Sequence, residues 1–446
     1  MLVHSSHLPH LPHLPHFSHS KITTMSIQNQ QTKLNIGLFG FGVVGEGLYK
    51  VLAHTPTLNA QIKKVCIKHA NKKRNAPAEL FTTDASELLN DEGINVIIEL
   101  IDDADAAYRI VITALAGKKA VVSANKKLIA THIEELIALQ QQHDVPFLYE
   151  AACCASIPVI RNLEEYYDND LLQSISGIVN GSTNYILTKV FEEQKTFDQA
   201  LLQAQQEGFA ESDPSLDVNG IDAVNKLSIL LTHAYGVIAN PAEIVHTGIQ
   251  NLHADDAAFA KEKGYEIKLV AQAHKLQDGK VAAFVLPQFV KNSQLCTVKN
   301  EYNGVVIESS LADKQFFYGK GAGGYPTASA VLSDLSALRY NYRYEYKKLL
   351  YQTPSEATND FYLKVTISFK GLFHVQHERF DKIYEWSSNE NRCHITGVLH
   401  FSELLKDDWW KQSGVSIILS PEGIIEAYVP ERVNEGVEFV EQEAIL

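Results

Sequence analysis

Leu34–Leu48 reads LNIGLFGFGVVGEGL, and the fold follows from how this stretch is parsed. Leu34–Phe39 is almost wholly apolar, the pattern of a strand buried on both faces. Gly40-Phe41-Gly42-Val43-Val44-Gly45 follows at once, and Val44, Leu48, Val51 and Leu52 then recur at helical spacing. A GxGxxG run carries weight only in such a setting, between a strand and a helix. Its glycines allow a tight turn, close approach of a pyrophosphate and close helix–strand packing. The helix start adds unpaired N–H groups and the positive end of a dipole. Gly40, Phe41, Gly42, Val43, Val44 and Gly45 are therefore the expected dinucleotide contacts, ahead of a plain glycine-rich turn.

Outward from this stretch the βα pattern repeats. Strands are expected near Val65–Lys68, Asn95–Leu100, Ala120–Ser123 and Pro146–Glu150, with helical segments between them. That alternation implies a mostly parallel sheet covered on both faces. Ligands on such sheets lie beyond the strands' carboxyl ends, where Ser123-Ala124-Asn125-Lys126 falls, so Lys126 is expected to face cofactor or substrate. An NAD site usually has an acid for the ribose at the end of the second strand. This chain offers Lys68 and His69, with Lys72, Lys73 and Arg74 beyond. Positive charge favours a 2′-phosphate, hence NADP over NAD; the same run also reads as a solvated basic loop.

A second stretch, Gly208–Gly236 (GFAESDPSLDVNGIDAVNKLSILLTHAYG), carries candidate chemistry. Four acids, Glu211, Asp213, Asp217 and Asp222, gather about the start of a helical pattern that turns Ile221, Val224, Leu227, Leu230 and Leu231 inward, with Gly236 as its C-cap. Asp222 and Lys226 lie one turn apart on the same side. Carboxylates to hold an ammonium and a lysine to move a proton suit a small zwitterionic substrate. Taken alone, the stretch also reads as a capped surface helix with one ion pair.

Between and beyond these stretches, Leu172–Val179 reads as a strand. Asn180-Gly181-Ser182-Thr183-Asn184 then enters the helix YILTKVFEE, with Ser182-Thr183 as N-cap. Strands near Ile267–Ala271 and Val281–Val290 extend a second, largely antiparallel sheet, and a glycine loop, Gly319–Pro326, precedes the helix TASAVLSDLSAL. From about Glu345, short strands (Phe361–Phe369, His394–Phe401, Val415–Leu419) alternate with amphipathic stretches. The segment EAACCASIP from Glu150 holds the vicinal pair Cys153-Cys154. A nucleophile there needs a base or a helix N-terminus to lower the thiol pKa, and buried inert thiols are the stronger reading.

Composition narrows the function classes. The 446 residues suffice for two or three domains with cores of their own. A formal net charge of -14, with no offsetting basic run, argues against nucleic acid or an anionic membrane as partner. No apolar stretch reaches the roughly 18–20 residues that span a bilayer. The 5 cysteines lack a disulfide-framework spacing, which fits a reducing compartment. Neither CxxC nor HExxH occurs, so no zinc site is signalled. In residues 1–24 histidine recurs at every third position from His4 to His19 among Leu-Pro pairs, low-complexity sequence that builds no core. Such a tail could bind nickel or zinc loosely. It has no secretory signature, and Met25 is the expected true start.

Five runs, in order across about residues 34–340, together resemble one family: GLFGFGVVGEGL, VVSANKKLIA, SGIVNGSTNYILTKV, GFAESDPSLDVNGIDAVNKL and GKGAGGYPTASAVLSDL. That family is homoserine dehydrogenase. The resemblance implies an α/β protein: a Rossmann-type doubly wound parallel sheet, an α+β catalytic and dimerisation domain, and a small C-terminal βα domain where some members carry an ACT regulatory domain. The expected division is 1–30 as a His/Pro-rich extension, 31–158 for the dinucleotide, 159–344 for catalysis and dimerisation, and 345–446 for the C-terminal domain. The helix after Gly323 is expected to pack back on the nucleotide domain.

The resemblance also implies interconversion of L-homoserine and L-aspartate 4-semialdehyde with NAD(P)(H), in the cytoplasm, by a homodimer, on the route to threonine and methionine. Lys226 matches the proton donor and acceptor, and Lys126 the second active-site lysine. Glu211, Asp217 and Asp222 match acids of the substrate pocket, with Glu211 reaching furthest over the cofactor. Gly208 and Gly323 match backbone contacts to cofactor or substrate. A sodium ion is implied on the carbonyls of Glu150, Cys153, Ala155 and Ile157, although Cys154 and Ser156 stand where the family often has glycine. Asp102-Asp103 likewise replaces a common Gly-Gly. Two rivals stand beside this reading: a phosphorylating semialdehyde dehydrogenase with Cys153 or Cys154 as nucleophile, and a non-catalytic nucleotide-sensing regulator.

Overall fold

The computed structural model describes residues 33–169, 171–351, 355–370, 377–426 and 428. The His/Pro-rich segment and the start at Met25 lie outside the described residues. Six parallel strands form the first sheet: β1 (Leu34–Phe39), β2 (Ala60–Cys66), β3 (Phe81–Thr82), β4 (Val96–Glu99), β5 (Ala120–Ser123) and β6 (Phe147–Leu148). Their spatial order is β3-β2-β1-β4-β5-β6. Helices α1 (Val43–Ala53), α2 (Ser86–Leu89), α3 (Ala104–Ala116) and α4 (Lys126–His143) occupy the connections. The order reverses between β1 and β4, where open sheets of this kind leave a crevice. Phe39 pairs with Glu99, and Glu99 with Ser123. Three central strands therefore end level, and the loops that follow them rise side by side. β2 closes at Cys66, which leaves Lys68 and His69 in the loop beyond it.

The turn after β1 shows why its glycines are needed. Gly40 sits at φ +92°, and a Cβ there would come 2.5 Å from the Leu100 carbonyl oxygen. A Cβ on Gly45 would lie 2.4 Å from the carbonyl oxygen of Gly40 itself. Only bare backbone lets the strand fold this tightly into α1.

After β6, a buried turn at Glu150–Ala152 and α5 (Val159–Glu165) lead into the second unit. It runs β7 (Leu172–Ile178), α6 (Gly181–Glu192), α7 (Phe197–Gln206), α8 (Ser215–Val218), α9 (Ile221–Tyr235), β8 (Val245–His246) and α10 (Ala254–Glu262). Strands β9 (Glu266–Lys275), β10 (Val281–Val290), β11 (Tyr302–Ser309) and β12 (Asp313–Lys320) follow, then α11 (Gly324–Leu338). α11 returns to pack on α1, where a Cβ on Gly47 would stand 3.0 Å from the Gly324 carbonyl oxygen. α9 packs against α4 and against β9 and β10, and every residue from Asp222 to Tyr235 is buried. One apolar face was expected; both units wrap the helix instead.

The C-terminal strands β13 (Tyr362–Phe369), β14 (Lys382–Ser388), β15 (Cys393–His400) and β16 (Val415–Ile425) join the same sheet. Its order is β12-β11-β7-β9-β10-β16-β13-β15-β14, with β8 also on β10, and β16 meets β10 in parallel at Gln288 and Leu419. Among the described residues this region holds short 3-10 turns where helices were expected. Asp407 and Asp408 are left-handed (φ 58° and 45°). The Trp409 and Trp410 indoles donate to the carbonyls of Glu403 and Leu404 at 3.1 and 2.8 Å, which stops a helix from propagating. A buried carboxylate ties this region to α10. Asp256 accepts from Ser368 at 2.5 Å, from His394 at 3.0 Å and from Ser416 at 3.1 Å, with Arg392 at 3.3 Å. Burial works against the charge, but His394 and Arg392 outweigh it and hold the Asp256 carboxyl below its usual range.

Candidate active site

The loops at the level strand ends meet the second unit across a cleft of about 510 Å³. From the first unit it takes Val44, Asp102 and Lys126; from the second, Asn180, Asp217, Asp222 and Lys226. Gly208 and Gly323 also border it. Lys126 is the first residue of α4, the unfavourable dipole end for a cation. It is held there by Asp222 Oδ1, 2.9 Å from its ammonium. Asp222 Oδ2 accepts from Lys226 at 2.7 Å and from Asn180 Nδ2 at 2.8 Å. Burial alone would raise the pKa of Asp222. The charges of Lys126 and Lys226, with hydrogen bonds from Lys226 and Asn180, outweigh it and hold the carboxyl well below the carboxylate range. The charge of Asp222 in turn raises Lys126, against a smaller effect of burial. Two lysines from different units thus share one carboxylate.

Lys226 also donates to the Val179 carbonyl at 2.6 Å. An ammonium has three donors, so two are committed to protein and one remains for the cleft. Asp217 gives one oxygen to Asn180 Nδ2 at 2.7 Å and lines the cleft beside Asp222. Glu211 is placed otherwise than expected. It is exposed and does not line the cleft, and its backbone carbonyl accepts from Gln205 Nε2 at 2.9 Å.

The nucleotide turn presents backbone. Phe41 points inward against Tyr49 and Phe81, ring centroids 5.8 and 5.0 Å away, so it offers only its main chain. Val43 is exposed, and a Cβ on Gly42, the N-cap of α1, would meet nothing within 4 Å. Open space at a helix N-terminus is the cradle a pyrophosphate needs, so these residues fit a dinucleotide. Nearby, Arg74 donates to the carbonyls of Lys72 and His69 at 2.7 and 2.8 Å and lies over Phe81 at 5.4 Å. The guanidinium fixes its own loop, leaving the neighbouring cations exposed beside a cavity of about 430 Å³.

One expectation changes. The N-cap of α6 is Asn180, not the Ser182-Thr183 pair, because Asn180 Oδ1 accepts from Thr183 N at 2.8 Å. Asp103 caps α3 through Ala106 N at 3.0 Å, while Asp102 faces the cleft. The cysteines are poor nucleophiles. Burial pushes Cys153 well above the usual thiol range and Cys154 up to about 11. Cys153 Sγ faces the Lys226 carbonyl at 3.8 Å rather than a base.

In the Glu150 loop, Cys154 and Ala155 adopt left-handed backbone (φ 57° and 39°). The carbonyls of Glu150 and Ile157 already accept from Cys153 N at 3.3 Å and Val159 N at 2.8 Å, which leaves each a second lone pair. Among the described residues no three His, Cys, Asp or Glu side chains cluster for a metal.

Three contributors were not foreseen: Asn180, the Val179 carbonyl and Glu99. Glu99 is fully buried under the cleft, where it accepts from Ile101 N at 2.7 Å and Ser123 Oγ at 2.6 Å. Ser123 Oγ accepts in turn from Asn125 N at 3.1 Å, beside Lys126. An acid ending the apolar strand VIIE was the available signal.

Comparison with known proteins gives a consistent family. A model described as "Homoserine dehydrogenase" matches residues 158–336, and one described as "Homoserine dehydrogenase, NAD binding domain" matches residues 40–150. A curated homoserine dehydrogenase of Bacillus subtilis is 34% identical over 411 residues, covering 84% of this chain and 94% of the relative. A crystal structure of a homoserine dehydrogenase from Thiobacillus denitrificans superposes with a TM-score of 0.76 at 27% identity, covering 87% of this chain and 98% of the other. A hyperthermophilic archaeal homoserine dehydrogenase in complex with NADPH gives 0.60 at 27% identity, covering 70% and 99%.

Glu99 supplies a pH test. Burial pushes its carboxyl up to about 7, against the hydrogen bonds from Ser123 and Ile101. A carboxyl raised on folding stabilises below its unfolded pKa and loses that contribution as pH rises through about 7. Glu99→Gln should therefore remove about 3 kcal/mol of stability change between roughly pH 4.5 and 7. The check is the wild-type-minus-variant difference in unfolding free energy across that range; a flat difference contradicts the assignment.

Proposed function

This chain belongs to the homoserine dehydrogenase family, NAD(P)-dependent oxidoreductases acting on a CH-OH group, and from that premise we propose how its own residues carry the reaction. The observation that supports the reading most is the Lys126–Asp222–Lys226 bridge in the cleft, with one Lys226 donor left uncommitted. A bound nicotinamide would supply the hydride acceptor for C4 of L-homoserine, or the hydride donor for L-aspartate 4-semialdehyde. In the reductive direction the Lys226 ammonium gives its uncommitted proton to the carbonyl oxygen and is left as the free amine; in the oxidative direction that free amine takes the hydroxyl proton. Lys126 holds the cofactor and substrate side of the cleft.

The substrate ammonium falls to Asp217, because the oxygens of Asp222 are taken by two lysines and Asn180. Glu211 serves as the second acid, from the rim. Gly40, Gly42, Val44, Gly45, Gly208 and Gly323, with the main chain of Phe41 and Val43, contact the cofactor. The burial of both vicinal thiols and the family match weigh against the Cys-nucleophile and silent-regulator readings.

The exposed cations Lys68, Lys72 and Lys73, with His69 beside them, favour NADP over NAD. A sodium ion suits the carbonyls of Glu150, Cys153, Ala155 and Ile157, since hard, neutral oxygens are what such ions take. A rise in melting temperature with sodium over a bulky organic cation, at equal ionic strength, tests that site. The 5 free cysteines fit a cytoplasmic enzyme of threonine and methionine biosynthesis. A homodimer is supported by half-exposed Tyr318 on the edge strand β12, and light scattering checks it.

Lys226→Ala should lower turnover by roughly two to four powers of ten while the fold survives, since alanine is a good helix former. Near-normal turnover in the folded variant removes Lys226 from the mechanism. For the cofactor, replacing Lys72 and Lys73 together with Ala should cut kcat/KM for NADP by about tenfold or more and leave NAD nearly unchanged. Equal losses with both cofactors would show that these lysines do not read the 2′-phosphate.

A further inference from the structure

Asn180 caps α6 and donates to two carboxylates of the cleft, so its amide is fully used. Its Oδ1 accepts from Thr183 N at 2.8 Å and from Thr183 Oγ1 at 2.9 Å. With the oxygen committed to the helix, the nitrogen must face the other way. There its two hydrogens meet Asp217 Oδ1 at 2.7 Å and Asp222 Oδ2 at 2.8 Å. A flipped amide would set its lone pairs against two carboxylates and its N–H against the Thr183 N–H, so the orientation is forced by its neighbours.

Two carboxylates of the same cleft repel, and each is free to rotate towards any nearby cation. A neutral group that donates to both removes that freedom without adding charge. We propose that Asn180 is a positioning residue of the reaction. It fixes Asp222 between Lys126 and Lys226 and keeps Asp217 turned to the substrate ammonium. The inference rests on the assignment of Asp217 and Asp222 to substrate and lysines given above. It adds that α6, through its N-cap, sets their geometry.

The charged and titratable groups against this pair are Lys126 of α4 and Lys226 of α9, with the thiols of Cys153 and Cys154 behind; Asp102, Glu301 and Lys320 line the rest of the cleft, Lys320 paired to Glu301 at 3.7 Å. None of them can replace the amide, since Lys126 and Lys226 are committed to Asp222, Lys320 is paired to Glu301 and the thiols are weak donors.

Helix capping and carboxylate positioning can be separated by experiment. Asn180→Ser and Asn180→Asp both keep a side-chain oxygen that caps α6 well, and neither has an amide to donate. Both should fold and keep wild-type cofactor affinity, N180S with a small fall in melting temperature and N180D, which buries a further carboxyl, with a larger one. N180S should lose about 10- to 150-fold in kcat/KM for homoserine, the range for a charge-assisted hydrogen bond. N180D should lose more, and the acidic limb of its pH profile should move up, because a third carboxyl crowds the pair.

Asp222→Asn, assayed alongside, distinguishes the two readings. Wild-type turnover in D222N overturns the acid assignment on which the inference rests. An impaired D222N with fully active N180S and N180D overturns the positioning role alone. A loss of cofactor affinity in both Asn180 variants, with turnover dropping in step, also overturns it and leaves Asn180 as a helix cap.

Discussion

Asp222 is a buried carboxylate with an ammonium group on either side, and much of the cleft is arranged to keep it charged. Moving such a group out of water costs several kcal/mol unless partners replace its hydration. Here Lys126, Lys226 and Asn180 do so, from three different helices. The cost of the arrangement is rigidity, because loss of any one partner strands a charge in a dry site. The benefit is that each lysine stays where a reacting atom will come, on opposite sides of a fixed point. α9 is buried on all sides for the same reason: it carries Asp222 and Lys226 at the contact between the two units.

The parallel sheet supplies the other half of this geometry. Because Phe39, Glu99 and Ser123 end level, three loops converge without any long excursion. Glu99 and Ser123 then stitch two of those loops beneath Lys126. The N-terminus of α4, which repels a cation, is made to present one only because Asp222 waits across the cleft.

Much of this was legible in the sequence, for physical reasons. The strand–GxGxxG–helix run is local and its steric demands are absolute, as the 2.4 Å clash awaiting a Cβ on Gly45 illustrates. The Asp222/Lys226 spacing is likewise local, set by one helical turn. What stayed hidden depends on contacts between segments distant in the chain. The carboxylates that the Asn180 amide nitrogen meets lie 37 and 42 positions away. That Glu211 stands exposed at the rim, its backbone carbonyl accepting from Gln205, is likewise not visible in its place in the run. The C-terminal stretches look amphipathic, yet two left-handed aspartates and two indole hydrogen bonds break them into turns. That β16 would extend the sheet beside β10 could not be read from pattern, since strand patterns specify faces and not partners.

The central claim is that Lys226 and Asp222 act as one unit. A double-mutant cycle in kcat/KM for semialdehyde reduction, with Lys226→Met, Asp222→Asn and the double variant, measures this most directly. Acting as a unit, the double variant is about as slow as Lys226→Met alone, because the carboxylate has no lysine left to hold. If the two losses instead multiply, the residues contribute independently and the account is wrong.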